Sequence, residues 1–465
     1  MINRYHLFKG GENYYALDTE RIIPLQLSED VYHSLSEFES CENICLDDVL
    51  QKSGGSEIQM LAEQDILLHS KDYPVENSFR ELNISLIPTL ACNMNCNYCY
   101  SKRKSENVKT PIGVVKQAIE FFCSNYPFSI CRIDFVSGGE PLYDSTALRE
   151  IVDVLSDTLE SHQKKVLFWL CTNGLLLSEP ILKYLDKKSF NIGISLDGPA
   201  DINDANRIDL CGNGTYQRVV QRISQIQNNT DLSRNIKNLW NCAVVTSQTD
   251  SLVKVLSNSY QLGFRNLQMK IAWSNIDDMR LPEQSTLQLY NELTEYLFDL
   301  VVENRIEEFL SICNENDTYG KILLRLIIQS GTTRRCNAGV NKFSISPEGD
   351  IYPCDSFMGI KKYSIGNIYT GFNEVYDEFN TKRSGGIISC KKCWARYLCG
   401  GDCYFHAYLN NNDPWQPDET VCHIVKGIAE MCIRLIVSLY REYPDKMQTI
   451  YGILSKKVIR MEPQK

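Results

Sequence analysis

Between residues 83 and 275 the chain repeats one pattern six times: a short run rich in β-branched and aromatic residues, then a longer amphipathic stretch. The runs are NISLIPTL (83–90), CRIDFVS (131–137), KVLFWLCT (165–172), FNIGISL (190–196), NLWNCAVV (238–245) and NLQMKIAW (266–273). Helix candidates lie near 111–125, 145–162, 178–187, 215–228, 248–262 and 283–304. Strands separated by helical crossovers lie parallel, so six such units in succession imply a parallel α/β fold. The strands are apolar along much of their length, which fits a sheet covered by helices.

In barrels and open parallel sheets alike, ligands gather beyond the carboxyl ends of the strands. The least ordinary residues of this chain fall there. ACNMNCNYCY places Cys92, Cys96 and Cys99 in one loop after the first strand. GGEP (Gly138 to Pro141) follows the second, TNG (Thr172 to Gly174) the third, and SLDGP (Ser195 to Pro199) closes the fourth. GGEP or TNG alone reads as an ordinary turn, but four such loops on one rim read as a site. An iron or zinc site normally takes four protein ligands, so a three-cysteine loop leaves one position open to a small molecule.

A chain of 465 residues implies two or three domains. Its net charge of −10 argues against a nucleic-acid partner, which would need a phosphate-neutralising surface. The start, MINRYHLFKGGENYY, has no apolar signal region, and no later window reads as a membrane span, so the expectation is a soluble cytoplasmic protein with no membrane partner. That compartment keeps thiols reduced, so clustered members of the 19 cysteines read as metal ligands. Seven of them lie from Cys336 to Cys422, four within CKKCWARYLCGGDC. Cys131, Cys171 and Cys242 lie in strand-like runs and read as small buried hydrophobes, as do the isolated Cys123, Cys211, Cys313 and Cys432. Cys41 and Cys45 have no further ligand nearby.

The flanks divide as follows. Residues 1–80 read as a separate winged-helix-like module: three short strands in RYHLFKGG, NYYALDTE and RIIPLQLS, then helix candidates at 29–38, 46–53 and 56–65. The parallel α/β region spans 81–305, a helical bridge 306–335, a cysteine-rich domain specified largely by metal 336–425, and a C-terminal helix lies within 426–465, its pattern beginning near 423.

C-x3-C-x2-C after the first strand, with Tyr98 before the last cysteine, resembles the radical S-adenosylmethionine (SAM) superfamily. The resemblance implies a partial (β/α)6 TIM-type barrel and a four-iron four-sulfur cluster held by Cys92, Cys96 and Cys99, with S-adenosylmethionine on the fourth iron. It implies cofactor contacts at Gly138, Gly139 and Glu140 to the methionine amino group, and at Asn173, Ser195 and Asp197 to the ribose and carboxylate. Arg207 reads either as a further cationic contact or as a surface salt bridge. The C-terminal pattern resembles the SPASM extension of that superfamily. By that resemblance Cys390, Cys393, Cys399 and Cys422 ligate an outer auxiliary iron–sulfur cluster, and Cys336, Cys354 and Cys403 an inner one, with no further cysteine in CNAGVNKFSISPEGD to close it.

Relatives of this kind mostly modify peptides or proteins, with a flavodoxin- or ferredoxin-type electron donor. The N-terminal module resembles the element by which ribosomal peptide maturases take a leader peptide as an added strand. The resulting expectation is a peptide maturase that joins a cysteine thiol to a carbon of another residue of a precursor peptide, as in sactipeptide and ranthipeptide maturation. Alternatives are carbon–carbon crosslinking or epimerisation, and formylglycine formation by a sulfatase-maturing enzyme, for which YPCD places Asp355 as the general base. Outside enzymes, the C-terminal cysteines alone would fit a zinc or electron-transfer module, which leaves the four-loop rim without a role.

Overall fold

The computed structural model describes residues 5–37, 56–64, 66, 80–99, 108–272, 279–381 and 387–461. The helix expected at 46–53 and the pair Cys41 and Cys45 lie outside them. The chain folds as two compact units, one of residues 1–75, 282–336 and 382–465, the other of 76–281 and 337–381.

The second unit is built on the six expected parallel strands, β4 (Glu81–Ser85), β5 (Ile130–Phe135), β6 (Lys165–Thr172), β7 (Asn191–Ser195), β8 (Trp240–Val245) and β9 (Leu267–Ile271), which pair in sequence order. Their crossover helices start where the chemistry directs. Asp144 caps helix Ser145–Ser161 by accepting from the Ala147 amide at 3.0 Å, and Ser251 caps helix Leu252–Gln261 through the Lys254 amide at 3.3 Å. The order runs on past β4 to β10 (Lys342–Ile345), which lies parallel to it, and then through the antiparallel β11 (Asp350–Tyr352), β12 (Gly366–Asn367) and β13 (Gly371–Phe372). Among the described residues β9 does not pair back to the far edge, so the sheet is a partial barrel.

Register sorts the two faces of this sheet. Ile84, Ile133, Phe168, Ile192, Ala243 and Met269 share one buried face. The other face is polar and aromatic: Ser85, Asp134 and Trp169 stand in one row, Cys171, Gly193 and Trp240 in the next, Ser195, Cys242 and Gln268 beyond. Gly193 cannot be replaced cheaply, because a Cβ there would lie 2.3 Å from the Trp240 indole. A sheet with one face buried under helices and the other lined by polar groups is what a barrel with a functional lumen requires.

The first unit opens with an antiparallel sheet, β1 (Tyr5–Gly10), β2 (Asn13–Asp18) and β3 (Ile23–Leu27), in that order. Helices Glu29–Ser36 and Ser56–Glu63 follow, and Leu7, Ala16, Leu27, Val31, Leu35 and Ile58 form their shared core. The bridge region carries helices Ile306–Ile312 and Thr318–Ile328, the second capped by Asp317 through the Gly320 amide at 2.7 Å. Helix Glu419–Glu442 buries Val421, Ile424, Val425, Ile428, Cys432 and Ile436 along one stripe, the 3.6-residue spacing of a packed helix. A further helix, Pro444–Met461, follows it. Among the described residues no helix is long and apolar enough to cross a membrane.

Candidate active site at the rim of the parallel sheet

The three-cysteine loop is held from below by the GGEP turn and from the side by the segment after SLDGP. The Gly139 amide donates to the Thr89 carbonyl at 3.1 Å and the Glu140 amide to the Ala91 carbonyl at 2.9 Å. A Cβ on Gly139 would stand 2.1 Å from that Ala91 oxygen, so only glycine permits the approach. The Asn95 and Asn97 amides donate to the carbonyls of Ile208 and Asn206 at 2.8 and 3.0 Å, and Met94 bridges to Asp209. Cys92, Cys96 and Cys99 thus share one anchored loop, and the Cys92 thiol is pushed up to about 11, chiefly by burial and further by the charges of Glu140, Cys96 and Cys99. Thiols in such surroundings stay protonated until a metal takes the proton's place, which is how a buried sulfur donor set binds iron.

Glu140 joins two of the rim loops. Its carboxylate accepts from the Thr172 hydroxyl at 2.6 Å, the Asn173 amide at 2.8 Å and the Leu142 amide at 3.1 Å. Burial holds its pKa above the ordinary value of 4.5 against the pull of those bonds. A carboxylate accepts about four hydrogen bonds, so these three leave room for one more donor, the geometry an ammonium would need. The Asn173 side chain donates to Asn93 in the cysteine loop at 2.8 Å.

Tyr98, Asp197 and Arg207 form a second lock. The Tyr98 hydroxyl donates to Asp197 Oδ2 at 2.8 Å, Arg207 Nη1 donates to that hydroxyl at 2.6 Å, and Asp197 Oδ1 lies 3.9 Å from the guanidinium while accepting from the Val244 amide at 3.0 Å. Arg207 is 7% exposed, which disposes of the surface salt bridge and makes it part of the rim. Burial raises the Asp197 pKa, and Arg207 opposes that rise. Tyr98, next to Cys99, is therefore tied to the fourth rim loop.

Two thiols read as small hydrophobes stand on the polar face. Cys171 Sγ lies 3.4 Å from Ser195 Oγ, and it shares a hydrogen bond with Cys242 that raises its own pKa and lowers that of Cys242. Strand periodicity alone assigns them to a face but not to the polar one. Asp355, directly after Cys354, accepts from the Ser137 hydroxyl, and Ser137 directly precedes Gly138.

In the first unit the thiols of Cys390, Cys393, Cys399 and Cys422 lie within electrostatic reach of one another, and burial pushes Cys390 and Cys422 up to about 12. Cys403 is raised chiefly by burial and then by Cys336. Cys354 belongs to the second unit, at the end of β11. Buried basic side chains lie within electrostatic reach of the first unit's sulfurs, Arg335 of Cys336, Cys399 and Cys403, and Arg325 of Cys399. Lys321 donates to the Arg335 carbonyl at 2.7 Å and is pushed down to about 7 by burial and then by Arg325 and Arg335. Cysteine donor sets beside basic side chains suit anionic iron–sulfur clusters.

Residues 86–234 match the radical SAM superfamily, and residues 336–394 match SPASM, an iron–sulfur cluster-binding domain. A cysteine-type anaerobic sulfatase-maturating enzyme of Clostridium perfringens is 27% identical over 329 residues, 67% of this chain and 85% of its own. Native anSMEcpe with bound AdoMet and Kp18Cys peptide has the same fold at a TM-score of 0.63 and 23% identity, covering 77% of this chain and 98% of its own. Streptococcus suis SuiB bound to precursor peptide SuiA superposes at a TM-score of 0.50 and 15% identity, over 90% of this chain and 98% of its own. The chain carries both domains and is a radical SAM enzyme whose cofactors are iron–sulfur clusters and S-adenosylmethionine.

Proposed function

We propose that this radical SAM and SPASM chain matures a ribosomally made precursor peptide, joining a cysteine sulfur to a carbon of another residue as a thioether. The observation that carries this reading is the N-terminal module, a three-stranded sheet whose outer strands β1 and β3 each pair on one side only among the described residues, backed by two helices. Recognition of a leader peptide by strand addition needs such an edge, and its main-chain hydrogen bonds tolerate varied sequence. The fold likeness to SuiB, solved with a precursor peptide, spans 90% of this chain, against 77% for the sulfatase-maturating structure.

Cys92, Cys96 and Cys99 would hold a cluster on which S-adenosylmethionine, reduced by a flavodoxin- or ferredoxin-type donor, would supply the radical chemistry that removes hydrogen from an unactivated carbon. Gly138, Gly139 and Glu140 take the cofactor's amino group, Asn173, Ser195 and Asp197 its ribose and carboxylate, and Arg207 orients that set through Tyr98. Asp355, held by Ser137, receives the proton of the precursor thiol. The carbon would lose hydrogen as an atom and the thiol would lose it as a proton, and clusters held by the C-terminal cysteines would supply an acceptor for the surplus electron.

Formylglycine formation is the second reading, favoured by Asp355 directly after Cys354 and by the likeness to sulfatase-maturating enzymes. Mass spectrometry of the treated precursor separates the outcomes. A thioether costs two hydrogens, keeps sulfur and leaves no alkylatable thiol at the joined cysteine. Formylglycine loses the sulfur, a carbon–carbon link leaves the thiol free, and epimerisation leaves the mass unchanged; any of these three would replace the thioether reading.

A further inference from the structure

The turn between β2 and β3 buries Asp18, Thr19 and Glu20. Hairpin tips ordinarily face solvent, so a buried charged tip needs partners. Asp18 Oδ1 accepts from the Glu20 and Arg21 amides at 3.1 and 2.9 Å, and Ile22 adopts a left-handed backbone at φ 59°, which together fix the turn. Glu20 Oε1 then lies 3.4 Å from Arg396 Nη2, with side chains 9% and 6% exposed. Arg396 stands midway in sequence between Cys393 and Cys399. Its Nη1 donates to the Cys393 carbonyl at 3.2 Å, and its charge reaches the Cys393 thiol.

We infer that Glu20 and Arg396 are positioning residues of the outer auxiliary cluster, a buried charge pair through which the N-terminal module sets that cluster's reduction potential. The inference rests on reading Cys390, Cys393, Cys399 and Cys422 as the ligands and is independent of the chemistry done on the peptide. Reduction adds negative charge to the cluster. A nearby buried cation favours that electron, and a buried anion opposes it, with little screening by salt. Arg396 therefore raises the potential and Glu20 partly offsets it.

The test is a potentiometric titration of the reconstituted full-length chain followed by electron paramagnetic resonance. A background with Cys92, Cys96 and Cys99 changed to Ala leaves only the auxiliary clusters to signal, and Cys422→Ala identifies the outer one by its loss. Glu20→Gln keeps the shape and removes the anion, and should move that potential positive. Arg396→Gln should move it negative, and the double variant should fall between the two single variants, somewhat below the starting value. A full iron complement in Cys422→Ala would refute the ligand reading. If Cys422→Ala loses the signal while Glu20→Gln and Arg396→Gln leave it in place or shift it in the same direction, the charge-pair role is overturned. Loss of the cluster in Glu20→Gln would overturn it too, in favour of a purely structural contact.

Discussion

The imidazole of His6 lies flat on the indole of Trp394, with centroids 3.7 Å apart and planes 3° from parallel, and Trp394 directly follows Cys393. His6 Nε2 also meets Glu430 at 2.9 Å, on the helix that carries Cys422. Strand β1 is thereby fastened both to the stretch that bears Cys393 and to the helix that bears Cys422. Trp394→Ala should lower stability by about 1–2 kcal/mol, the worth of an aromatic pair and its packing. His6→Phe keeps the stack and forfeits only a partly exposed pair, about 0–1 kcal/mol. Denaturant unfolding of the two variants checks the order; equal losses would assign the stability to Glu430 rather than to the rings.

Leader binding has a backbone test. Pro24 sits within β3 and has no amide hydrogen, so its position is one that faces away from β2. Gln26, two residues on, has its amide facing the same way, away from β2, where an added strand would pair. Gln26→Pro should therefore reduce affinity for the precursor at least tenfold, while Gln26→Ala, which loses the side-chain bonds to Asn13 and Arg441 but keeps the amide, should bind nearly as well. Fluorescence anisotropy with a labelled leader reads the difference. Equal binding by Gln26→Pro and the unsubstituted protein would move the docking site off this edge.

Much of this arrangement is legible in the sequence, because strand and helix periods are local signals. KVLFWLCT is the strand Lys165–Thr172 to the residue, and the rim motifs follow their strands as expected. What is not legible is long-range. Nothing in Lys342–Ile345 announces that it pairs with β4, since register across so long a separation is set by tertiary packing. Cys171 and Cys242 mislead for the opposite reason: a thiol is ordinary on either face of a buried strand, and only the pairing through Gly193 and Ser195 puts both beside the rim. Glu20 looks like a solvated hairpin charge until Arg396 is seen against it. Helix Pro444–Met461 follows a proline that begins a helix rather than ending one.

Glu140 predicts a pH dependence. Its folded pKa is raised by burial above 4.5, so the fold favours the protonated form, and its contribution to stability is complete below the unfolded value and lost as pH rises through the folded one. S-adenosylmethionine presents an ammonium and selects the ionised form. Its affinity should thus increase as pH rises from the ordinary carboxyl range through the raised value, with proton release on binding. Equilibrium binding by calorimetry in buffers of different ionisation heat measures both. Glu140→Gln should bind about tenfold more weakly or worse, with a flat profile across that window, because it cannot ionise. A Glu140→Gln variant that kept the slope would transfer the titration to another group, Asp197 being the other rim carboxyl raised by burial.

The inner cluster predicts a response to the substrate itself. Three cysteines, Cys336, Cys354 and Cys403, are assigned to it by pattern, and the stretch after Cys336 supplies no fourth. Asp355 is the nearest oxygen in sequence to Cys354, but its carboxylate is engaged by the Ser137 hydroxyl beside the GGEP turn, which disfavours it as the closing ligand. An iron left with an open position takes a thiol as thiolate, because coordination lowers the thiol pKa and fixes the sulfur. A precursor cysteine held this way would be aligned for bond formation, with a direct exit for the surplus electron. Anaerobic electron paramagnetic resonance should show the inner-cluster signal shifting when the precursor is added, and not when the acceptor cysteine is replaced by serine, whose hydroxyl is a poorer ligand for iron. Ser137→Ala, which frees Asp355, should let the carboxylate compete and shrink the shift. An inner-cluster signal identical with no peptide, cysteine peptide and serine peptide would show that the site is already closed and that the precursor sulfur reaches the carbon radical unbound.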